Sequence, residues 1–323
     1  MIEVKNLTKR YGGKTAVDNI SFTVEEGEVL GFLGPNGAGK TTTMNIITGY
    51  TSSTEGTVTI GGAEILENPI AAKSRIGYLP EHPPLFPEMT VDKYLSFMYD
   101  LKRKPQKDSV SKAGVISEVC DLVKISDVSK RLIRNLSKGY RQRVGLAQAL
   151  LVDPGGVLIL DEPTVGLDPA QIIEIRNLIK ELGKTYTIML SSHILSEVQA
   201  SCTRIIVINN GRIIADDSPD ALSAAMSGDQ ILTIRVDGPE EDVYELLSGI
   251  SGVCAVSKLG SKENAAYDFS VVQEPEADVR REMFAVLARQ GWPILGLKSS
   301  KLSLEEIFLQ LTDDGSISDD RNH

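Results

Sequence analysis

The chain has 323 residues, 41% of them apolar, enough to bury one large core or two modest ones. A formal net charge of −10 and a pI near 5.0 argue against a nucleic-acid binder, whose footprint is a basic face. Cys120, Cys202 and Cys254 are isolated and odd in number, which excludes a CxxC metal pattern and a disulfide framework and fits a reducing compartment.

The N-terminal MIEVKNLTKR lacks an apolar leader core, and no run approaches the roughly 18 to 20 apolar residues needed to cross a bilayer. Any membrane role is therefore expected to come through a partner. Up to about residue 215, short apolar runs alternate with helical patterns, as in an α/β domain with a largely parallel sheet. Glu28 to Leu33, Val157 to Leu160, Thr187 to Leu190 and Ile205 to Ile208 read as fully buried strands. Asn210-Gly211 reads as a tight hairpin turn.

From about residue 230 the pattern changes to βαββαβ, running from ILTIRV to PILGLK, and then to an amphipathic SLEEIFLQLT. The expected division is a nucleotide-binding domain over 1–228, a small ferredoxin-like α+β domain over 229–312, and a disordered acidic tail over 313–323. An extension packed onto the first domain is the other reading of the second segment.

Gly34-Pro35-Asn36-Gly37-Ala38-Gly39-Lys40-Thr41 fits G-x-x-x-x-G-K-[ST], follows the strand EVLGFL and opens a helical run. Glycines let backbone N–H groups close around phosphates, and the helix N-terminus adds a positive dipole. Lys40 is expected to bridge the β- and γ-phosphates of ATP, and Thr41 to offer its hydroxyl to Mg²⁺, with Thr42 beside them. The P-loop NTPase fold follows from this context.

The strand VLIL ends in Asp161-Glu162, two adjacent acids that are costly at a buried strand end unless something pairs with them. Either acid, taken alone, could equally cap a helix. Beside a phosphate loop, Asp161 is the expected magnesium carboxylate and Glu162 the group that orients or deprotonates the attacking water.

Leu136-Ser137-Lys138-Gly139-Tyr140-Arg141-Gln142, then Asp161-Glu162-Pro163-Thr164, Gly166-Leu167-Asp168 and Ser192-His193 follow in order. With the phosphate loop, they resemble the nucleotide-binding subunits of ABC transporters over residues 2 to 217. The resemblance implies a head-to-tail dimer, of two identical chains or with a paralogous ATPase, in which each ATP lies between one phosphate loop and the other signature. Ser137 and Gly139 would meet the opposite γ-phosphate, Tyr11 would lie under adenine, and His193 would act as the switch histidine. Tyr11 also admits a plain packing role, and an isolated histidine is usually structural.

The resemblance further implies a separate integral-membrane permease and a cytoplasmic position on the inner face of the membrane. The YLPEHPPLFPEMTV segment and the C-terminal module resemble an exporter-type subgroup that includes gliding-motility and multidrug members. Glu81 stands where the family usually carries Gln; it remains an oxygen donor toward Mg²⁺ and adds a charge. Lys138 and Tyr140 replace commoner Gly and Gln. Phe86, Tyr94, Phe97 and Tyr99 fall where a permease helix docks in the family, or else are ordinary helix packing. The rival function is a soluble ABC ATPase, disfavoured by a single phosphate loop and by the short interval between Lys40 and Ser137.

Overall fold

The computed structural model describes residues 1–102, 111–225, 230–263, 266–274 and 277–301. The expected helix over residues 303–312 and the tail over 313–323 lie outside them. In chain order the elements are β1 (Ile2–Tyr11), β2 (Lys14–Val24), β3 (Val29–Leu33), α1 (Lys40–Ile47), β4 (Glu55–Ile60), β5 (Ala63–Glu64), α2 (Pro69–Lys73), β6 (Ile76–Leu79), α3 (Val91–Lys102) and α4 (Lys112–Leu122). They continue with α5 (Lys138–Ala149), β7 (Val157–Asp161), α6 (Pro169–Leu182), β8 (Thr187–Ser192), α7 (Leu195–Ser201), β9 (Arg204–Asn209), β10 (Arg212–Asp217) and α8 (Pro219–Ala225). The last are β11 (Gln230–Asp237), α9 (Glu240–Ser248), β12 (Val253–Glu263), β13 (Ala266–Gln273), α10 (Arg280–Arg289) and β14 (Ile294–Lys301). Two compact units result, Met1–Pro219 and Asp220–His323.

Six strands of the first unit form a sheet in the order β10-β9-β3-β8-β7-β6, parallel throughout except for the β9–β10 hairpin. Its strands β3, β7 and β8 are buried at every residue, because a parallel sheet is covered on both faces. The four buried strands expected from their apolar runs are all present. Asn210 and Gly211, at φ 47° and 78°, close the hairpin in the left-handed geometry that a two-residue turn needs.

A second, antiparallel sheet, β2-β1-β4-β5, was not distinguishable in the sequence from the parallel one. Its strands alternate buried and exposed residues only irregularly, because β1 pairs with register shifts on both sides. Ile2, Val4 and Phe22 of this sheet share one core with Phe32, Ile159, Met189 and Ile206 of the parallel sheet and with Met44 and Ile47 of α1. Each large side chain buried there contributes roughly 1.5–3 kcal/mol. The core thus clamps α1, and with it the loop that precedes α1, between two sheets.

In the second unit β11, α9, β12, β13, α10 and β14 repeat the expected βαββαβ order, and the sheet runs β12-β13-β11-β14 with every pairing antiparallel. That is the split βαβ arrangement. Leu232, Ile234 and Val236 alternate along β11 and pack with Phe269 and Val271 of β13, Val243 and Leu247 of α9, and Met283 and Leu287 of α10. No helix among the described residues is long and apolar enough to cross a membrane.

Candidate nucleotide-binding and hydrolysis site

Strand order brings the chemistry to one edge of the parallel sheet. β3 lies beside β8, and β8 beside β7; in register, Leu33 faces Ser192 and Asp161 faces Ser191. The segments leaving the C-terminal ends of these three strands therefore emerge side by side, where open α/β sheets place their ligands.

The loop after β3 turns on Gly37 (φ 83°) and Gly39 (φ 111°) before α1 begins at Lys40. At Gly39 any Cβ would come within 2.6 Å of the Ala16 carbonyl oxygen, so the loop needs glycine there on two counts. Lys40 is almost fully buried. Its ammonium donates to the carbonyl oxygens of Gly34 (2.7 Å) and Pro35 (3.2 Å) and lies 3.5 Å from Glu162 Oε1. Thr41 is exposed and Thr42 half-buried, while Asn36 and Gly37 face solvent and Ala38 is buried.

Asp161 ends β7 almost wholly buried. Its Oδ1 accepts the Ser191 hydroxyl at 2.5 Å, while its Oδ2 is buried with no hydrogen-bond partner. Burial pushes this carboxyl above its ordinary range; the Ser191 and Thr41 hydroxyls pull it back, and the charges of Glu162 and Glu81 push it up. Burial, then the Asp161 charge, also raises the Tyr78 phenol, whose O–H donates to Asn45 Oδ1 at 3.2 Å.

Glu162 adopts a left-handed backbone (φ 49°) that costs a non-glycine residue roughly 1–2 kcal/mol. Its N–H donates to the Ser191 hydroxyl at 3.0 Å, which helps hold that conformation. Only 6% exposed, its carboxylate is gripped from two sides, by Lys40 at Oε1 and by His193 Nδ1 at 2.9 Å from Oε2. His193 is the more open partner, its side chain 41% exposed.

The structure thus gathers Lys40, Asp161, Glu162 and His193, with Thr41 beside Asp161. Glu81 lies two residues beyond β6, near enough for its charge to act on Asp161, with His82 Nδ1 3.8 Å away. The signature segment makes its contacts elsewhere. The Ser137 hydroxyl caps α5 by accepting from Tyr140 N–H (3.3 Å), and a Cβ on Gly139 would strike Gln171 of α6. The Lys138 side chain lies over Gly166, and the Tyr140 hydroxyl donates to Asp127. Tyr11 ends β1 half-exposed, with the Lys9 ammonium 5.0 Å from its ring centre.

Sequence reasoning missed Ser191 and Glu197 and gave Thr164, though inside a quoted motif, no role; all three are buried and hydrogen-bonded around this edge. The signal was slight: the apolar run TIML stops short of Ser191, and only the sheet register shows that β8 continues through Ser191, opposite Asp161, to Ser192, opposite Leu33.

Comparison with known proteins agrees with this geometry. The family model described as ABC transporter matches residues 17–165. The ABC transporter ATP-binding protein YhcH of Bacillus subtilis (strain 168) is 37% identical, covering 97% of this chain and 96% of its own. The linearmycin resistance ATP-binding protein LnrL of the same organism is 33% identical over 97% of this chain and 98% of its own. A dimeric structure of the bacterial ABC transporter cassette MJ0796 superposes with a TM-score of 0.62 at 26% identity, covering 68% of this chain and 98% of that one. The chain belongs to the ABC transporter family as an ATP-binding subunit, an ATPase that powers transport.

Proposed function

We propose that Lys40, Asp161, Glu162 and His193 form the hydrolytic centre of an ATPase that drives export through a separate membrane permease. The observation that carries this reading is the Glu162 carboxylate, buried at the end of β7 between Lys40 and His193. A buried carboxylate so placed accepts a proton from water and is oriented for it by its two partners. Lys40 is the phosphate ligand; arriving phosphate oxygens replace the loop carbonyls that hold its ammonium in this structure. Residues 34–42 cradle the phosphates with backbone N–H groups, and the exposed Tyr11 ring is a platform for adenine. His193 steadies Glu162 and is placed to sense the γ-phosphate.

Mg²⁺ fits this donor set. The buried, unpartnered Asp161 Oδ2 is costly alone and is the atom a cation would satisfy, with Thr41 beside it and Glu81 acting through water. Among the described residues no three acidic, His or Cys side chains converge to hold a metal unaided, so nucleotide oxygens would complete the shell. The cation would supply charge neutralisation on the β- and γ-phosphates.

Ser137 and Gly139 would meet the γ-phosphate of a second copy or a paralogous chain in a head-to-tail dimer. The dimeric MJ0796 cassette supports this reading. The relative named for linearmycin resistance supports export, and a permease partner would hold the chain at the inner face of the membrane. Glu162→Gln tests the centre: ATP binding is retained, turnover falls by about 10³-fold or more, and MgATP yields a dimer on size-exclusion chromatography. Wild-type turnover in that variant would overturn the assignment. Purification from detergent extracts should bring down one multi-span polypeptide; soluble partners alone would overturn the permease reading.

A further inference from the structure

Glu197 carries a carboxyl side chain yet is only 4% exposed, and the mechanism above does not use it. It lies in the first turn of α7, a helix pressed so tightly onto β3 that a Cβ on Gly31 would come within 1.9 Å of Val198 Cγ1. A buried carboxylate costs several kcal/mol unless hydrogen-bonded, so its partners are informative. Oε2 accepts two hydroxyls, from Thr164 at 2.6 Å and from Ser192 at 3.0 Å. Oε1 lies 4.0 Å from Arg176 Nη2 on α6.

Those two hydroxyls belong to the two segments that carry the proposed chemistry. Thr164 is two residues beyond Glu162, in a turn closed by Val165 N–H to the Glu162 carbonyl and Leu167 N–H to the Thr164 carbonyl. Ser192 immediately precedes His193, and its oxygen also accepts the Ile194 N–H at 2.9 Å, which brackets the histidine. The left-handed Glu162 is therefore held at two points: Ser191 at its own N–H, and Thr164 anchored through Glu197. Both anchors oppose the free energy the backbone would gain by leaving that conformation.

We infer that Glu197 is a positioning residue for hydrolysis: one buried carboxylate oxygen ties the loop after Glu162 to the strand end before His193, holding the 2.9 Å contact between those two side chains. Because both hydroxyls share that oxygen, a shift of the loop displaces the histidine and the reverse. The inference rests on Glu162 and His193 acting as proposed above.

The test is steady-state MgATP hydrolysis and equilibrium ATP binding by the full-length chain. Glu197→Ala lowers kcat by about 10- to 100-fold, with KM and ATP affinity held within about twofold, because misplacement affects the reacting geometry rather than phosphate binding. Glu197→Gln, which can still accept from a hydroxyl, recovers part of that loss. Thr164→Val keeps shape but removes one hydroxyl; its effect and that of Glu197→Ala are non-additive in the double variant. Unchanged kcat in folded Glu197→Ala, strictly additive losses, or ATP affinity falling in step with kcat would each overturn the inference. If Glu197→Ala fails to fold, unchanged kcat in Thr164→Val overturns it instead. Glu162→Gln run in parallel separates the two readings: wild-type turnover there removes the proposed base itself, whereas lost turnover there with an inert Glu197 removes only the positioning role.

Discussion

The two units bury polar groups for different ends. In the first, charged and hydroxyl side chains converge at the C-terminal edge of a parallel sheet, and Lys40, Asp161, Glu162 and Glu197 are each 6% exposed or less. In the second, the centre is apolar, and its prominent charge pair, Arg235 and Asp268, is a local clamp between β11 and β13 with guanidinium–carboxylate bonds of 2.6 and 3.0 Å. The first region's polar burial gathers the groups for which hydrolysis is proposed, whereas the second's ties two strands of one sheet together. A parallel sheet aligns the exits of neighbouring strands at one edge, whereas an antiparallel sheet sends successive strands to opposite ends.

Substitutions should divide along that line. The largest effect is expected at Glu162, whose change to Gln should lower turnover by about 10³-fold while the melting temperature stays close to wild type. A large fall in stability instead would make Glu162 a structural residue and blur the contrast. Phe269→Ala, at a fully buried position of the second core, should cost about 3–5 kcal/mol in chemical denaturation of that unit and leave ATP binding intact. Lost ATP binding in that variant would show that the second core supports the first site.

Asp268→Ala should cost about 2 kcal/mol, because it strips Arg235 of a charged hydrogen-bond partner, again without altering ATP affinity. Lys102 gives an effect confined to one pH window. Burial lowers its ammonium to about 8, and it donates to the Gln148 carbonyl at 3.3 Å. The unfolded chain holds this proton up to its ordinary value of about 10.5, so stability should rise with pH between those values. Lys102→Met should flatten that rise in denaturation measured at several pH values; an unchanged slope would assign the effect to other groups.

Much of the site was legible without coordinates. The glycines of 34–39 declare a loop that brings backbone N–H groups close to phosphate, and an apolar strand stopping at two acids declares an ion or ligand, because burying such charges alone is costly. Ser191 was not legible, since a serine after an apolar run reads as the start of a loop. Glu197 was not legible either, since a glutamate in a helical segment normally faces water. Likewise β1, β2 and β4 read as part of one α/β alternation, and only their register shows a separate antiparallel sheet.

What the residues determined by themselves was local: the phosphate loop, the buried strands, the acid pair, the left-handed turn at Asn210-Gly211 and the βαββαβ order. Only the tertiary structure decided which of these meet. Strand order set β3 beside β8 and β8 beside β7, which places Lys40, Glu162 and His193 within contact although they are far apart in the chain. It also aimed Glu197 inward at Thr164 and Ser192. The reason is physical: periodicity and turn chemistry act over a few neighbouring residues, whereas a buried carboxylate's environment is set by every element packed around it.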